Sequence, residues 1–327
     1  MASLEKLLKR LLLALPWIML VPILAWSQPY PSKPIRVIVP FPAGGPADIF
    51  GRGLAHGMSS ELGQPVIVEN VGGVGGVLGV DRALKSAPDG YTLAFNSGST
   101  LSIAPYSFAK LPYDVKKDAA LITLVVRVPE VLVVHPSLPV NTLQELVAYA
   151  RANPRKINYG SAGIGTITHL AVELLRTEAK IDVVHVPYRG AAPAVNDLIG
   201  GHVQMVVLDT PVLLPHIRAG TVKALAVTSQ TRSGALPDVP TTVEAGFKTV
   251  QSDNWYGLSA PAGVPPEIFD KLHKAVVATL RSAELKKLFD SQDAVPAPTS
   301  PAEFAAFVKA EQAKWGPVVV ATGAKLE

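Results

Sequence analysis

Two short apolar runs, Ile35 to Pro40 (IRVIVP) and Ile157 to Tyr159 (INY), each lead straight into a glycine-rich loop that opens an amphipathic helix. The first loop runs Phe41-Pro42-Ala43-Gly44-Gly45-Pro46-Ala47-Asp48 and the second Gly160-Ser161-Ala162-Gly163-Ile164-Gly165-Thr166. Behind the first, Pro46 suits the opening turn of a helix, Asp48 complements its positive end, and Phe50, Leu54, Met58 and Leu62 recur at helical spacing before Gly63. Behind the second, Ile167, Leu170, Ala171, Leu174 and Leu175 form a stripe along one helix face. A strand, a turn and a helix in that order start a βα unit. Two such starts predict an α/β fold of doubly wound, parallel sheets in two lobes.

The rest of the chain fills in those units. Val66 to Asn70 and Tyr91 to Asn96 read as strands after the first helix, and Asp182 to Tyr188, Val203 to Asp209 and Val222 to Ser229 after the second, with a helix from Ala192 to Ile199 between. Near the end come a strand at Trp255 to Ala260, a long helix at Pro265 to Leu288 and a last one at Pro301 to Trp315. One strand and two helices do not make a third core, so they are expected to pack on the first unit. The chain then crosses between units twice, near Val126–Glu130 and Ser252–Trp255. This predicts one lobe from 28–127 plus 253–327, another from 128–252, and a ligand cleft at a two-strand hinge.

Residues 1–27 read as an address. Lys6, Lys9 and Arg10 precede the apolar run Leu11 to Trp26, and Ala25-Trp26-Ser27 offers small residues for cleavage before Gln28, the pattern of a secretory signal peptide. The alternative is a membrane anchor, but the run holds Pro16 and Pro22 and falls short of the roughly 20 apolar residues a spanning helix needs. The mature chain would be exported. The absence of cysteine removes disulfides, thiolate metal sites, thiol nucleophiles and a lipidated N-terminal Cys. The net charge of +4 is modest, the basic residues are scattered, and no nucleic-acid partner is expected.

Glycine-rich loops at strand ends are where ligands bind in open α/β sheets, because amide groups can approach an anion and the helix end favours its charge. The plain alternative is a tight βα turn. Two termini facing one cleft would clamp a carboxylate, yet each contributes only about 0.3–1 kcal/mol, against about −8.2 kcal/mol for micromolar affinity. Direct hydrogen bonds from Ser161, Thr166 and backbone amides, with bridging waters, must supply the rest. Arg189 could meet an anionic ligand or sit solvated in its loop. Asp209, ending a strand, could accept from a ligand amine or hydroxyl, or cap the next helix. His169, one turn into its helix, is either a cleft neighbour or a helix-face residue bonded to a loop. Phe41 and Trp255-Tyr256 are candidate apolar walls. A dinucleotide fingerprint fails because Thr168 stands where its third glycine belongs, and Gly72-Gly73-Val74-Gly75-Gly76 misses the spacing as well. No GxSxG elbow and no HExxH pair is present, so neither catalysis nor a metal or other cofactor is expected.

The blocks PIRVIVPFPAGGPADIFGR, APDGYTLAFNSGST, INYGSAGIGTITHLAVELL, HVPYRGAAPAVNDLIGG, PHIRAGTVKALAVTS, WYGLSAPAGVP and EQAKWGPVVVATG, in this order, resemble the Bug-type periplasmic solute receptors of tripartite tricarboxylate transporters. The resemblance spans essentially the whole mature chain. It implies a periplasmic binding protein of the type II-like, two-lobed kind, without catalysis, that closes on a mono-, di- or tricarboxylate, aromatic and amino-acid-like ones included. It also implies a membrane permease as partner, with a sensor kinase as the alternative, and a monomer. A secreted enzyme acting on carboxylates is a more distant alternative. On these blocks the ligand-binding candidates are Phe41, Ala43, Gly44, Gly45, Pro46, Ala47, Asp48, Asn96, Ser97, Ser99, Ser161, Ala162, Gly165, Thr166, His169, Arg189 and Asp209. Thr166 replaces a common serine, and SIAP at Ser102 to Pro105 replaces a segment that often carries histidine.

Overall fold

The computed structural model describes residues 29–325, so the leader read over 1–27 lies outside the described residues. The strands are β1 (Ile35–Val39), β2 (Val66–Asn70), β3 (Thr92–Ser97), β4 (Ala119–Val134), β5 (Asn158–Ser161), β6 (Val184–Pro187), β7 (Met205–Asp209), β8 (Lys223–Val227), β9 (Asp253–Pro261) and β10 (Val295–Pro296). Helices of eight or more residues are α1 (Pro46–Leu62), α2 (Val77–Leu84), α3 (Leu143–Ala152), α4 (Ile167–Ala179), α5 (Ala191–Ile199), α6 (Thr210–Arg218), α7 (Pro266–Arg281), α8 (Ala283–Ser291) and α9 (Pro301–Thr322). The α1 boundaries follow from its sequence. Pro46 fills the first turn, where its missing N–H is no loss, and Gly63 closes the helix at φ 67° with its amide on the Ser59 carbonyl. Phe50, Leu54 and Met58 on its inner face are fully buried.

The sheet order is β2-β1-β3-β9-β4-β7-β5-β6, with β8 and β10 also paired to β4. The α/β class is as read, but the sheet is mixed. β1, β2 and β3 run parallel, as do β5, β6 and β7, while β9 is antiparallel to β3 and β4, and β4 is antiparallel to β7 and β8. The sixteen-residue β4 escaped sequence reading because Pro129 and Glu130 interrupt an apolar run, and a proline ordinarily demotes a strand. Here Pro129 stands where the strand changes partners. β4 pairs with β9 from Ala119 through Pro129, and with β7 from Glu130 through Val134.

Around the second set of strands, Leu143, Leu146 and Leu175 of α3 and α4 fill one face, and Val195, Leu198 and Leu213 of α5 and α6 the other. Val77, Val80 and Leu101 pack with Trp255 of β9 and Phe304 of α9. Further along α9, Trp315 and Val319 meet Ile103 and the α4 residues Ile167 and Leu170. The helix predicted from Pro265 to Leu288 is two. Ser282, extended at ψ 144°, ends α7 and caps α8 by accepting from the Leu285 amide at 3.2 Å. α9 runs past Trp315 to Thr322, beginning in a capping box between Ser300 and Glu303.

Candidate functional site

The first loop turns at Gly44, whose φ of +80° is open to glycine and strained for other residues. Asp48 braces that turn. Its Oδ2 accepts from the Gly44 amide at 3.0 Å, and its Oδ1 from Asn70 Nδ2 at 2.9 Å and Arg52 Nε at 2.9 Å. Burial would raise its pKa, but the bonds from Arg52, Gly44 and Asn70 outweigh that and hold it below the ordinary carboxylate value. Asn70 Nδ2 also donates to the Phe41 carbonyl at 3.1 Å, tying β2 to the loop.

The second loop is braced from behind by imidazoles. Ser161 Oγ lies 2.7 Å from His185 Nε2 and accepts from the Gly163 amide at 3.2 Å, and His169 Nδ1 accepts from the Gly165 amide at 3.3 Å. The His169 and His185 rings stack at 4.0 Å, and Tyr159 stacks on His185 at 4.8 Å. Tyr159 donates at 2.7 Å to Glu173, which is paired with Arg176. Burial lowers the pKa of His169 to about 4 and that of His185 to about 3, so both rings are neutral at pH 7. With Nδ1 accepting, the His169 proton belongs on Nε2. Thr166 Oγ1 donates to the Gly163 carbonyl at 2.7 Å, and the Ala162 amide to Thr168 Oγ1 at 2.9 Å.

Between the loops lies a recess of about 460 Å³ including its mouth. Phe41, Pro42, Gly45, Pro46 and Ala47 form one side, and Ala162, Thr166, Ile167 and Thr168 the opposite side. Ala191 and Ala192 open α5 into it, Ser99 stands beside α4, and Asp209, Asn254 and Tyr256 complete the lining. Three helices thus present their N-termini to one space. Among the described residues, no protein acceptor takes the amides of Ala47, Thr168 or Ala192, each in the first turn of its helix, while the Ile167 amide donates to Ser99 Oγ at 3.1 Å. No Lys or Arg lines this recess. A neighbouring recess, about 600 Å³ with its open mouth included, shares Phe41, Pro42 and Ala162 and adds Gly73 to Gly76, Tyr188 and Arg189.

Asp209 is the one carboxylate of the lining. It accepts from Asn254 Nδ2 at 3.0 Å and from the Tyr256 hydroxyl at 2.5 Å. Although it occupies the N-cap position of α6, its side chain makes no capping bond. Burial raises its pKa to about 6, against the lowering effect of the Tyr256 and Asn254 bonds.

Of the residues singled out from sequence, Phe41, Gly45, Pro46, Ala47, Ser99, Ala162, Thr166 and Asp209 line the main recess, and Arg189 the neighbouring one. Ala43, Gly44, Asp48, Ser161, Gly165 and His169 line neither. All but Ala43 make the bonds, or the turns, that shape the loops. Asn96 and Ser97 are buried in β3, where Asn96 Nδ2 donates to Ser259 Oγ at 2.7 Å and the Ser97 amide to Thr100 Oγ1 at 3.1 Å. Of the aromatic candidates, Tyr256 reaches the lining, whereas Trp255 is core and donates to Glu311. Sequence reading missed Pro42, Ile167, Thr168, Ala191, Ala192 and Asn254 as lining residues. Gly190-Ala191-Ala192-Pro193 carried a signal, a glycine and a proline bracketing a third helix start. Asn254 carried none, because its place depends on β9 lying beside β4.

A family model described as "Tripartite tricarboxylate transporter family receptor" matches residues 50–324. Protein BugT of Bordetella pertussis is 40% identical over 304 residues, 92% of this chain and 93% of that protein. An R. palustris protein solved with adipate is 32% identical, with a TM-score of 0.87 over 90% of this chain and 98% of that one. MatC from Rhodopseudomonas palustris, solved with bound malate, is 33% identical, with a TM-score of 0.85 over 89% of this chain and 100% of that one. The chain belongs to the tripartite tricarboxylate transporter receptor family, and it is a solute-binding protein.

Proposed function

We propose that this protein is a periplasmic receptor that captures a small organic carboxylate between its two glycine-rich loops and hands it to the membrane subunits of a tripartite transporter. The observation that carries this reading is the convergence of three unpaired helix-N-terminal amides, of Ala47, Thr168 and Ala192, on a recess without a basic side chain. Such amides suit a carboxylate, whose oxygens accept two bonds each and whose charge the helix ends favour. The ligand carboxylate sits on these amides, with the Ser99 hydroxyl beside it. Phe41, Pro42 and Ile167 take the carbon skeleton, and Asp48, Ser161 and His169 hold the loops from behind. Malate and adipate in the related R. palustris structures support the ligand class, and the family supports the permease partner and the periplasmic setting. Nothing in the recess supplies an activated nucleophile, and binding without turnover is the activity we assign.

Residues 28–127 with 253–327 act as one lobe and 128–252 as the other, closing on the ligand about the crossings in β4 and before β9. The test is a thermal-shift screen of the mature chain with aliphatic, hydroxy, amino and aromatic carboxylates. A ligand at a hundred times its Kd stabilises by about 2.7 kcal/mol, so a rise of several degrees is expected from at least one carboxylate. A screen in which amines, sugars or no compounds at all respond would overturn the assignment.

A further inference from the structure

Glu130 has no solvent exposure, and it stands directly opposite Asp209 in the antiparallel register of β4 and β7. Paired residues of antiparallel strands leave the sheet on the same side, so the two carboxyls are neighbours. Glu130 Oε2 accepts from the Ser252 hydroxyl, and its Oε1 is buried with no partner. Asp209 in turn reaches the main recess. The groups around this pair are Asp253 and Tyr256 on β9 and Lys314 on α9, with the hydroxyls of Ser252 and Thr228 closing the shell, while Arg127 on β4 and Glu311 on α9 act on Asp253. Among the described residues, no Lys or Arg comes within ion-pair distance of Glu130, Asp209 or Asp253. Two adjacent carboxylates without a cation are costly when buried, because each loses hydration and each repels the other.

We propose that Glu130 and Asp209 form a proton-binding site in the wall of the recess, and that an anionic carboxylate ligand enters together with one proton taken up by this pair. The inference rests on the carboxylate reading above. The ligand's charge arrives in the recess that Asp209 already faces, and a proton from solvent on an Asp209 oxygen removes the repulsion. Burial, reinforced by Asp209, raises the pKa of Glu130 well above its ordinary value, and burial raises that of Asp209 to about 6. Glu130, fully buried with one carboxyl oxygen unpartnered, is the member of the pair that holds a proton more tightly, and Asp209 is the group with room to gain one. The sign follows from linkage. Binding raises the pKa of the pair, so affinity is fullest below pH 6 and falls as pH rises from there towards the pKa of the liganded state. A ligand that placed an ammonium group against Asp209 would take up no proton.

Adipate is the probe, titrated calorimetrically into the mature chain at pH 7 in phosphate and in Tris, whose ionisation enthalpies differ. Uptake of close to one proton per adipate is expected, with Kd weakening by about tenfold per pH unit through the middle of the window. Asp209→Asn should remove both the uptake and the pH slope. Carboxyl-carbon NMR of the unliganded chain reads the pair without any ligand, and Glu130 should still be protonated at pH 7. Both carboxyls ionised at pH 7 would overturn the proposal whether or not adipate binds, as would adipate binding with equal heats in the two buffers. If adipate does not bind, the carboxylate that raises the melting temperature in the screen takes its place in the same titrations; a chain that binds no carboxylate while Glu130 is protonated would count against the carboxylate reading, not the proton site.

Discussion

Ala47 isolates the amide clamp better than any side chain does. Its N–H is spare for α1, so Ala47→Pro deletes the donor without breaking a helical bond. A hydrogen bond to a charged group contributes about 1.5–3 kcal/mol, so carboxylate affinity should fall about ten- to a hundredfold, as isothermal titration would show, while the unliganded melting temperature changes little. An unchanged Kd would remove this amide from the site. Tyr159→Phe probes the brace behind the second loop. It takes from buried Glu173 the hydroxyl donor at 2.7 Å and should cost about 1–3 kcal/mol in urea melts. The Ala47 donor was legible in the sequence as a glycine, proline and helix-opening pattern, whereas Thr168 stood out there only as the residue that breaks a dinucleotide fingerprint. The braces were not legible, since Asn70, His185 and Glu173 reach their partners only once strands and helices are packed.

At the scale of elements, α1 lies so close to α7 and α8 that its glycines matter. A Cβ at Gly57 would stand 2.3 Å from Thr279 Cγ2, and one at Gly53 2.4 Å from Leu288 Cδ2. Helix propensity alone would make Gly57→Ala stabilising by about 1 kcal/mol. Overpacking costs about 1–3 kcal/mol, so a net loss of stability is expected in denaturant titrations. A gain would mean that the helices can part at no cost. Ser282→Ala removes the cap that starts α8 and should cost about 1 kcal/mol. The break at Ser282 was illegible because Ile268, Leu272, Val276, Leu280 and Leu285 keep helical periodicity across it. β4 was illegible for the opposite reason, a proline in a strand whose two halves pair with different neighbours.

For the whole molecule, pH sets two buried groups against each other. The depressed pKa values of His169 and His185 mean that their neutral forms favour the fold, a contribution present above their unfolded value near 6.5 and lost as pH falls towards 4 and 3. The raised values of Glu130 and Asp209 contribute in the reverse sense, present below their unfolded values and lost as pH rises through the folded ones. Between pH 6.5 and 4 the two effects partly cancel. The Asp209→Asn protein should therefore lose stability more steeply than the parent over that interval, which urea melts at several pH values would read. Parallel slopes would show that Asp209 does not titrate there. What the sequence determined by itself was local. A strand that feeds a glycine turn and a helix start expresses backbone sterics and the helix dipole, and these act within a dozen residues. Only the tertiary structure brought Ala192 and Asn254 to the recess and set Glu130 beside Asp209. Those meetings depend on β4 and β9 running antiparallel to their neighbours through the middle of the sheet, and strand pairing between distant segments leaves no periodic mark on either one.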